Sequence, residues 1–320
     1  MQTSTPQHLA DAWAKLREGA AQVLVGMDEV FQQLTIALFS GGHVLLEGVP
    51  GTGKTLAART LAGLVGCTFK RVQFTPDLMP SDILGTSVFD IATRDFHIRK
   101  GPIFAGIVLA DEINRAPAKT QAALLEAMDE RQVTIEGETF PLPEPFVVTA
   151  TQNPLEYEGT YPLPEAQLDR FQFKIIVEYR AEADEVEVLR RHGRSLRPHQ
   201  QAERLIPVLG APEVVRMQAQ AQEVRVEEGI LAYLTAIARA SRRSPDLALG
   251  ASPRASLAVL RGARVLALME GRDYVLPDDI KRLVPPAFRH RVLLRPEAEI
   301  QGVTADDAVG RVLATVEVPR

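Results

Sequence analysis

The chain has 320 residues, 46% of them hydrophobic and 24% charged, with a formal net charge of −5 and a pI near 5.8. That length allows one large α/β domain plus a smaller helical one, and the acidic balance argues against a broad nucleic-acid-binding surface. No apolar run is long enough to cross a bilayer, Met1 to Pro6 lacks the basic segment and apolar core of a signal peptide, and the lone Cys67 excludes an internal disulfide, so the expected compartment is the cytoplasm.

In chain order, residues 11–19 and 28–40 read as helices. Strand candidates near Val44, Phe69, Ile107, Phe146 and Phe173 then alternate with helices such as 56–64 and 119–129. The alternation predicts a parallel sheet flanked by helices. Two segments interrupt it: an insert with a helix near 74–100, in which 86–100 has room for a hairpin, and a hairpin near 131–140 turning at Glu136-Gly137. After Tyr179 the composition shifts to a charge-rich helix, 181–191, and then to a polar, proline-marked stretch at 194–198. This divides the chain into a core, 1–190, and an all-helical lid, 200–320, with helices expected at 212–222, 227–241, 254–270 and 277–283.

Chemistry concentrates at three strand ends. Gly48-Val49-Pro50-Gly51-Thr52-Gly53-Lys54-Thr55 follows the apolar Val44-Leu45-Leu46 and precedes a helix-forming run that starts at Leu56. This reads as a phosphate-binding loop: the glycines let backbone N–H groups converge on phosphate oxygens, Lys54 reaches the β and γ phosphates, and the Thr55 hydroxyl can ligate Mg²⁺. The helix N-terminus adds its dipole. A second apolar strand, Ile107-Val108-Leu109-Ala110, ends in Asp111-Glu112. Asp111 would hold Mg²⁺ through water and Glu112 would polarise the attacking water; capping of the next helix is the alternative for an isolated Asp-Glu pair. A third strand runs from Phe146 into Gln152-Asn153-Pro154, where the Asn153 amide can orient the lytic water, with an Asx turn before proline as the local alternative.

With these motifs in this order the chain resembles the AAA+ ATPases, and within them the MoxR family. The likeness spans nearly the whole chain: Val25-Gly26-Met27, the run 41–55, Gln73-Phe74-Thr75-Pro76-Asp77-Leu78-Met79-Pro80-Ser81-Asp82-Ile83-Leu84-Gly85, Lys100-Gly101-Pro102-Ile103-Phe104, and the block from Ala110 through Asn114-Arg115-Ala116-Pro117 to Met128. The resemblance implies that Val25 and Gly26 contact adenine, that Asn153 is the sensor 1 residue, and that Arg170, in Leu163-Pro164-Glu165-Ala166-Gln167-Leu168-Asp169-Arg170-Phe171, is an arginine finger acting on a neighbouring subunit, with Arg115 as a nearby competitor. Ser252-Pro253-Arg254 resembles the sensor 2 element, in which Arg254 faces the γ-phosphate from the lid. Arginine suits both tasks because its guanidinium stays charged and forks onto phosphate oxygens.

The expected nucleotide-binding set is therefore Val25, Gly26, Gly48, Pro50, Gly51, Thr52, Gly53, Lys54, Thr55, Leu56, Asp111 and Arg254, with Thr55 and Asp111 toward Mg²⁺ and Lys54, Glu112, Asn153, Arg170 and Arg254 in catalysis. ATP and Mg²⁺ are the implied cofactors. The resemblance further implies a homo-oligomeric, hexameric ring, a client protein to be remodelled, a separately encoded partner with a von Willebrand factor A domain, and inserts facing the pore. Two other readings of the residues stay open: a nucleic-acid motor or loader, against which the net charge and the lack of aromatics among basic clusters such as Arg289-His290-Arg291 speak, and an ATP-switched scaffold, against which Glu112 speaks. Cys67 reads as a small buried hydrophobe.

Overall fold

The computed structural model describes residues 5–154, 159–193 and 201–319. Helices α1 (Thr5–Ala21) and α2 (Asp28–Phe39) lead into β1 (Val44–Glu47), which is followed by α3 (Lys54–Leu64) and β2 (Phe69–Gln73). The short α4 (Pro80–Leu84) opens the first insert, whose hairpin pairs β3 (Gly85–Asp90) with β4 (Asp95–Lys100). Then come β5 (Ile107–Asp111), α5 (Ala118–Glu130), the hairpin β6 (Gln132–Ile135) and β7 (Glu138–Pro141), β8 (Val147–Gln152), α6 (Glu165–Leu168), β9 (Phe173–Ile176) and α7 (Glu182–His192).

All five expected strands join one parallel sheet in the order β2-β5-β8-β1-β9. β5 is buried along its whole length and β8 up to its last residue, as continuous apolar runs require when both faces of a sheet are covered. The period-2 alternation splits the core: Val44 and Leu46 join the apolar cluster that also holds α1, α2, α3 and the lid helices, while Leu45 joins the one formed with α5 and the inserts. The second hairpin turns at Glu136 (φ 50°) and Gly137 (φ 84°), the pair of left-handed residues that a two-residue hairpin loop needs.

The lid contains α8 (Ala211–Gln222), α9 (Glu228–Ser241), α10 (Pro253–Met269) and α11 (Pro277–Phe288), and adds α12 (Pro296–Ile300) and α13 (Ala305–Thr315). α11 continues five residues past the expected stop at Leu283, through Pro285 and Pro286. The carbonyls that lose their donors to those prolines belong to Lys281 and Arg282, on the least buried part of the turn. A small antiparallel ribbon, β10 (Leu247–Leu249) with β11 (Leu293–Leu294), supplements the helices. α10 crosses the sheet closely at Gly262, where a Cβ would stand 2.8 Å from the Phe173 ring. The Gln172 amide donates to the Ala258 carbonyl at 3.1 Å, fastening the same crossing. The proline-marked stretch at 194–198, where the sequence places the core–lid boundary, lies outside the described residues. Among the described residues, no helix is long and apolar enough to cross a membrane.

Candidate nucleotide site and its arginine face

Because the five strands are parallel, the segments that follow β1, β5, β8 and β9 all emerge at one edge of the sheet, its carboxyl edge. The loop after β1 turns through Gly51 (φ 83°) and Gly53 (φ 93°), left-handed positions that glycine adopts without steric cost. α3 starts directly at Lys54, so the helix N-terminus and its dipole lie beside the loop. Lys54 Nζ donates to the carbonyls of Gly48 and Val49 at 2.5 and 2.8 Å, which lays the ammonium over the loop.

Val25, Pro50, Gly51, Gly53, Lys54, Thr55, Leu56, Asp111, Glu112 and Asn153 together line one cavity of about 430 Å³. Three members of the expected nucleotide set serve beneath it. The Thr52 hydroxyl turns inward onto the Val49 carbonyl. Gly48 lets the segment after β9 pass, since a Cβ there would come within 2.3 Å of the Val177 carbonyl, and Gly26 makes room for the Asp184 side chain.

Asp111 ends β5 with its carboxylate buried. Oδ1 accepts from the Thr151 hydroxyl at 2.6 Å, and Oδ2 accepts from Thr55 at 3.3 Å and from Arg71 Nε and Nη2 at 2.9 and 2.6 Å. Glu112 occupies the N-cap position of the short 3₁₀ turn Ile113–Arg115, but no side-chain cap bond is made there, so capping does not account for the Asp-Glu pair. Glu112 adopts a left-handed backbone (φ 57°), held by its N–H on the Thr151 hydroxyl at 2.8 Å. Its Oε2 accepts from Gln73 at 2.7 Å and from Arg115 at 3.0 Å. Arg115 thus lies within reach of Glu112 of its own chain. Thr55 and Asp111 offer a hydroxyl and a carboxylate oxygen side by side, a hard-oxygen pair that suits Mg²⁺ when phosphate completes the shell.

The sequence did not single out Arg71, Thr151 or Arg180. Arg71 and Gln73 alternate with the buried Val72 on the edge strand β2, a period-2 pattern that marks them as facing one way. Arg180 binds the carbonyls of Val25 at 2.8 Å and Thr52 at 3.1 Å, tying the expected adenine end to the loop. Only its place just past a strand end hinted at this.

Arg170 and Arg254 are not brought to this cavity. Arg170 precedes β9 and so emerges at the opposite, amino edge, where its Nε meets Asp129 Oδ2 at 2.8 Å. Arg254 converges on the same place, 3.6 Å from Asp129 and 3.8 Å from Asp169. The sequence expectation that Arg254 faces the γ-phosphate is thereby not met within one chain. The reason is the docking of the lid: Arg291, buried, grips Asp169 at 2.7 Å and the carbonyls of Phe171 and Gln172, which sets the start of α10 beside the amino edge. A second cavity of about 320 Å³ opens there, lined by five arginines (131, 170, 254, 261 and 291) against two aspartates (129 and 169). Two buried histidines support this edge. His43 takes the Val148 N–H on Nδ1 and donates from Nε2 to Met128, and burial followed by the nearby Arg131 pushes its pKa down to about 3. His290, on the Phe171 carbonyl, is pushed well below its ordinary value by burial and by Arg291.

The family model of the ATPase family associated with various cellular activities (AAA) matches residues 43–173, and that of the AAA lid domain matches 239–312. The chain is 46% identical to Chaperone MoxR1 of Mycobacterium tuberculosis, over 93% of this chain and 80% of that one. It is 32% identical to Protein MoxR of Methylorubrum extorquens over 97% and 96%. The chain belongs to the MoxR family of AAA+ ATPases. An uncharacterized Bacillus subtilis protein, YeaC, shares 47% identity with this MoxR-family chain over 95% of it and 94% of the relative. A crystal structure of a Cytophaga hutchinsonii protein superposes on it with a TM-score of 0.91 at 38% identity, covering 99% of this chain and 97% of the other.

Proposed function

We propose that this chain hydrolyses ATP with Mg²⁺ at sites shared between neighbouring copies in a hexameric ring, and uses the energy to remodel a client protein. The observation that carries this reading is the separation of the two half-sites. The loop, Asp111, Glu112 and Asn153 gather at the carboxyl edge, while Arg170 and Arg254 gather at the amino edge among a surplus of arginines. β1 alone, four residues long, holds the two edges roughly 10 Å apart. A second copy that lays its amino edge on the first copy's nucleotide would bring two guanidiniums to the phosphates.

In this mechanism the loop N–H groups and Lys54 cradle the phosphates; Thr55 and Asp111 would hold the metal, which would supply positive charge to the phosphate oxygens. Glu112 polarises the attacking water while Asn153 orients it. Arg170 and Arg254 of the adjacent copy neutralise charge that develops in the transition state, a task that can contribute about 10³-fold or more. The nucleotide-binding core spans 1–190 and the lid 200–320 in this reading, and the protein works in the cytoplasm.

A protein client is favoured by the tip of the first insert, where Ile91 is 83% and Phe96 67% exposed and Phe96 packs on Phe89 across the hairpin. Exposed apolar groups on a charged molecule mark contact with apolar peptide rather than with phosphate backbone. The name of the M. tuberculosis relative points the same way, and the family likeness supports a separately encoded partner with a von Willebrand factor A domain. Specific ATPase activity measured as protein concentration rises tests the shared site. A rise to a plateau is expected; activity per chain independent of concentration down to nanomolar protein would contradict it. Stimulation by DNA at low salt would replace the protein client with a nucleic acid.

A further inference from the structure

We propose that Arg71 is a built-in counter-ion of the catalytic acid pair, which competes with the metal for Asp111 and is displaced when a metal–nucleotide complex binds. The inference rests on the nucleotide reading above and adds a positioning residue to it. β2 is the edge strand of the sheet, and its register sets Gln73 beside Asp111 and Arg71 beside Leu109. Arg71 and Gln73 lie on the same side of that strand, so both reach toward the end of β5.

The decisive feature is which carboxylate oxygen each partner uses. Asp111 Oδ1 is committed to the Thr151 hydroxyl at 2.6 Å. Both Arg71 nitrogens settle on Oδ2, the oxygen that also takes the Thr55 hydroxyl. A divalent cation held between Thr55 and Asp111 must use that same oxygen, directly or through a water, and it repels a guanidinium already there. Asp111 is 9% exposed as a side chain and Arg71 45%. A buried carboxylate needs hydrogen-bond and charge partners, and the long, half-exposed arginine can supply them and still swing out into water.

The contact extends to the second acid. Arg71 Nη2 also donates to Gln73 Oε1 at 2.8 Å, and Gln73 Nε2 donates to Glu112 Oε2 at 2.7 Å. One continuous chain of hydrogen bonds therefore runs from Asp111 through Arg71 and Gln73 to Glu112. Departure of Arg71 loosens the grip of Gln73 on the carboxylate that must accept a hydrogen bond from the attacking water.

Binding of a fluorescent ADP to the full chain, once with Mg²⁺ and once with EDTA, measures the competition without turnover. In Arg71→Gln the ratio of affinity with metal to affinity without it should rise about tenfold, the change expected on removing one charge-assisted contact, and Arg71→Lys, which keeps a cation, should hold the ratio near that of the unaltered protein. Thermal melting without nucleotide verifies that each variant is folded. An unchanged or smaller ratio in Arg71→Gln would overturn the proposal, as would equal weakening with and without metal, which would make Arg71 a phosphate ligand. Failure of the unaltered protein to bind ADP at all would instead remove the nucleotide reading, and this inference with it.

Discussion

The two edges of the sheet are built in different ways. At the carboxyl edge the functional groups sit at the end of a buried strand or in the segment directly after one, so their position follows from the strand itself: Asp111 ends β5, Asn153 follows β8, and the loop follows β1. At the amino edge the groups come from distant segments, with Arg170 before β9 and Arg254 at the start of α10, and they meet only because Arg291 and Gln172 clamp lid to core. The first edge gathers the phosphate-loop lysine, the acid pair and Asn153 around one cavity of a single chain. The second holds cations that have no phosphate to act on within the same chain, and the difference between the two is the argument for a shared site.

Substitutions that empty one edge while sparing the other are the sharpest ways to break that comparison. Lys54→Ala should have the largest effect, abolishing both nucleotide binding and turnover, as read by fluorescent nucleotide titration and phosphate release. Arg170→Ala should lower kcat by about 10³-fold or more while leaving affinity for nucleotide in the isolated chain within about twofold, because the side chain lies on Asp129 and lines a different cavity from the loop. Loss of binding in this variant would place the arginine at its own site. Glu112→Gln should keep ATP bound and slow hydrolysis by roughly 10²- to 10⁴-fold, the range for removing a general base.

A smaller effect separates the edges by pH. His43 takes up a proton near its ordinary pKa of 6.5 when unfolded but only near 3 when folded, so the unfolded chain binds more protons below pH 6.5 and stability falls as pH drops through that window. The loss approaches about 1.4 kcal/mol per pH unit for each such histidine, and His290 at the same edge adds to it in the same direction. Urea unfolding between pH 8 and 5 measures the slope, and His43→Gln should flatten it even if it lowers stability at pH 8. The smallest basal effect is expected at the insert tip. Ile91→Ser should leave ATPase activity without client within about twofold, since the side chain is largely exposed.

How much of this was legible in the sequence follows the same division. The five strands, the loop, Asp111 and Glu112 could be read because each is a short contiguous string whose apolar run and terminal residue obey one local rule. The hairpin at Glu136-Gly137 was readable for the same reason. The ribbon β10–β11 was not, because two short runs almost fifty residues apart carry no local signal of pairing. α13 was missed although Thr304 and Asp307 form a capping box whose spacing is visible in the chain. Arg71 escaped notice because an arginine on an edge strand ordinarily faces water, and only the register with β5 shows that it meets Asp111. The placement of Arg254 needed the docking of the lid, which no motif encodes.

The most direct test of the shared site is ATP hydrolysis by a mixture of two inactive variants, Lys54→Ala, which retains the amino-edge arginines, and Arg170→Ala, which retains the nucleotide loop. Mixed in equal amounts they should recover a substantial fraction of activity, because some interfaces then pair an intact loop with an intact Arg170. No recovery in a mixture shown to co-assemble would contradict a site completed by Arg170 of a neighbouring copy.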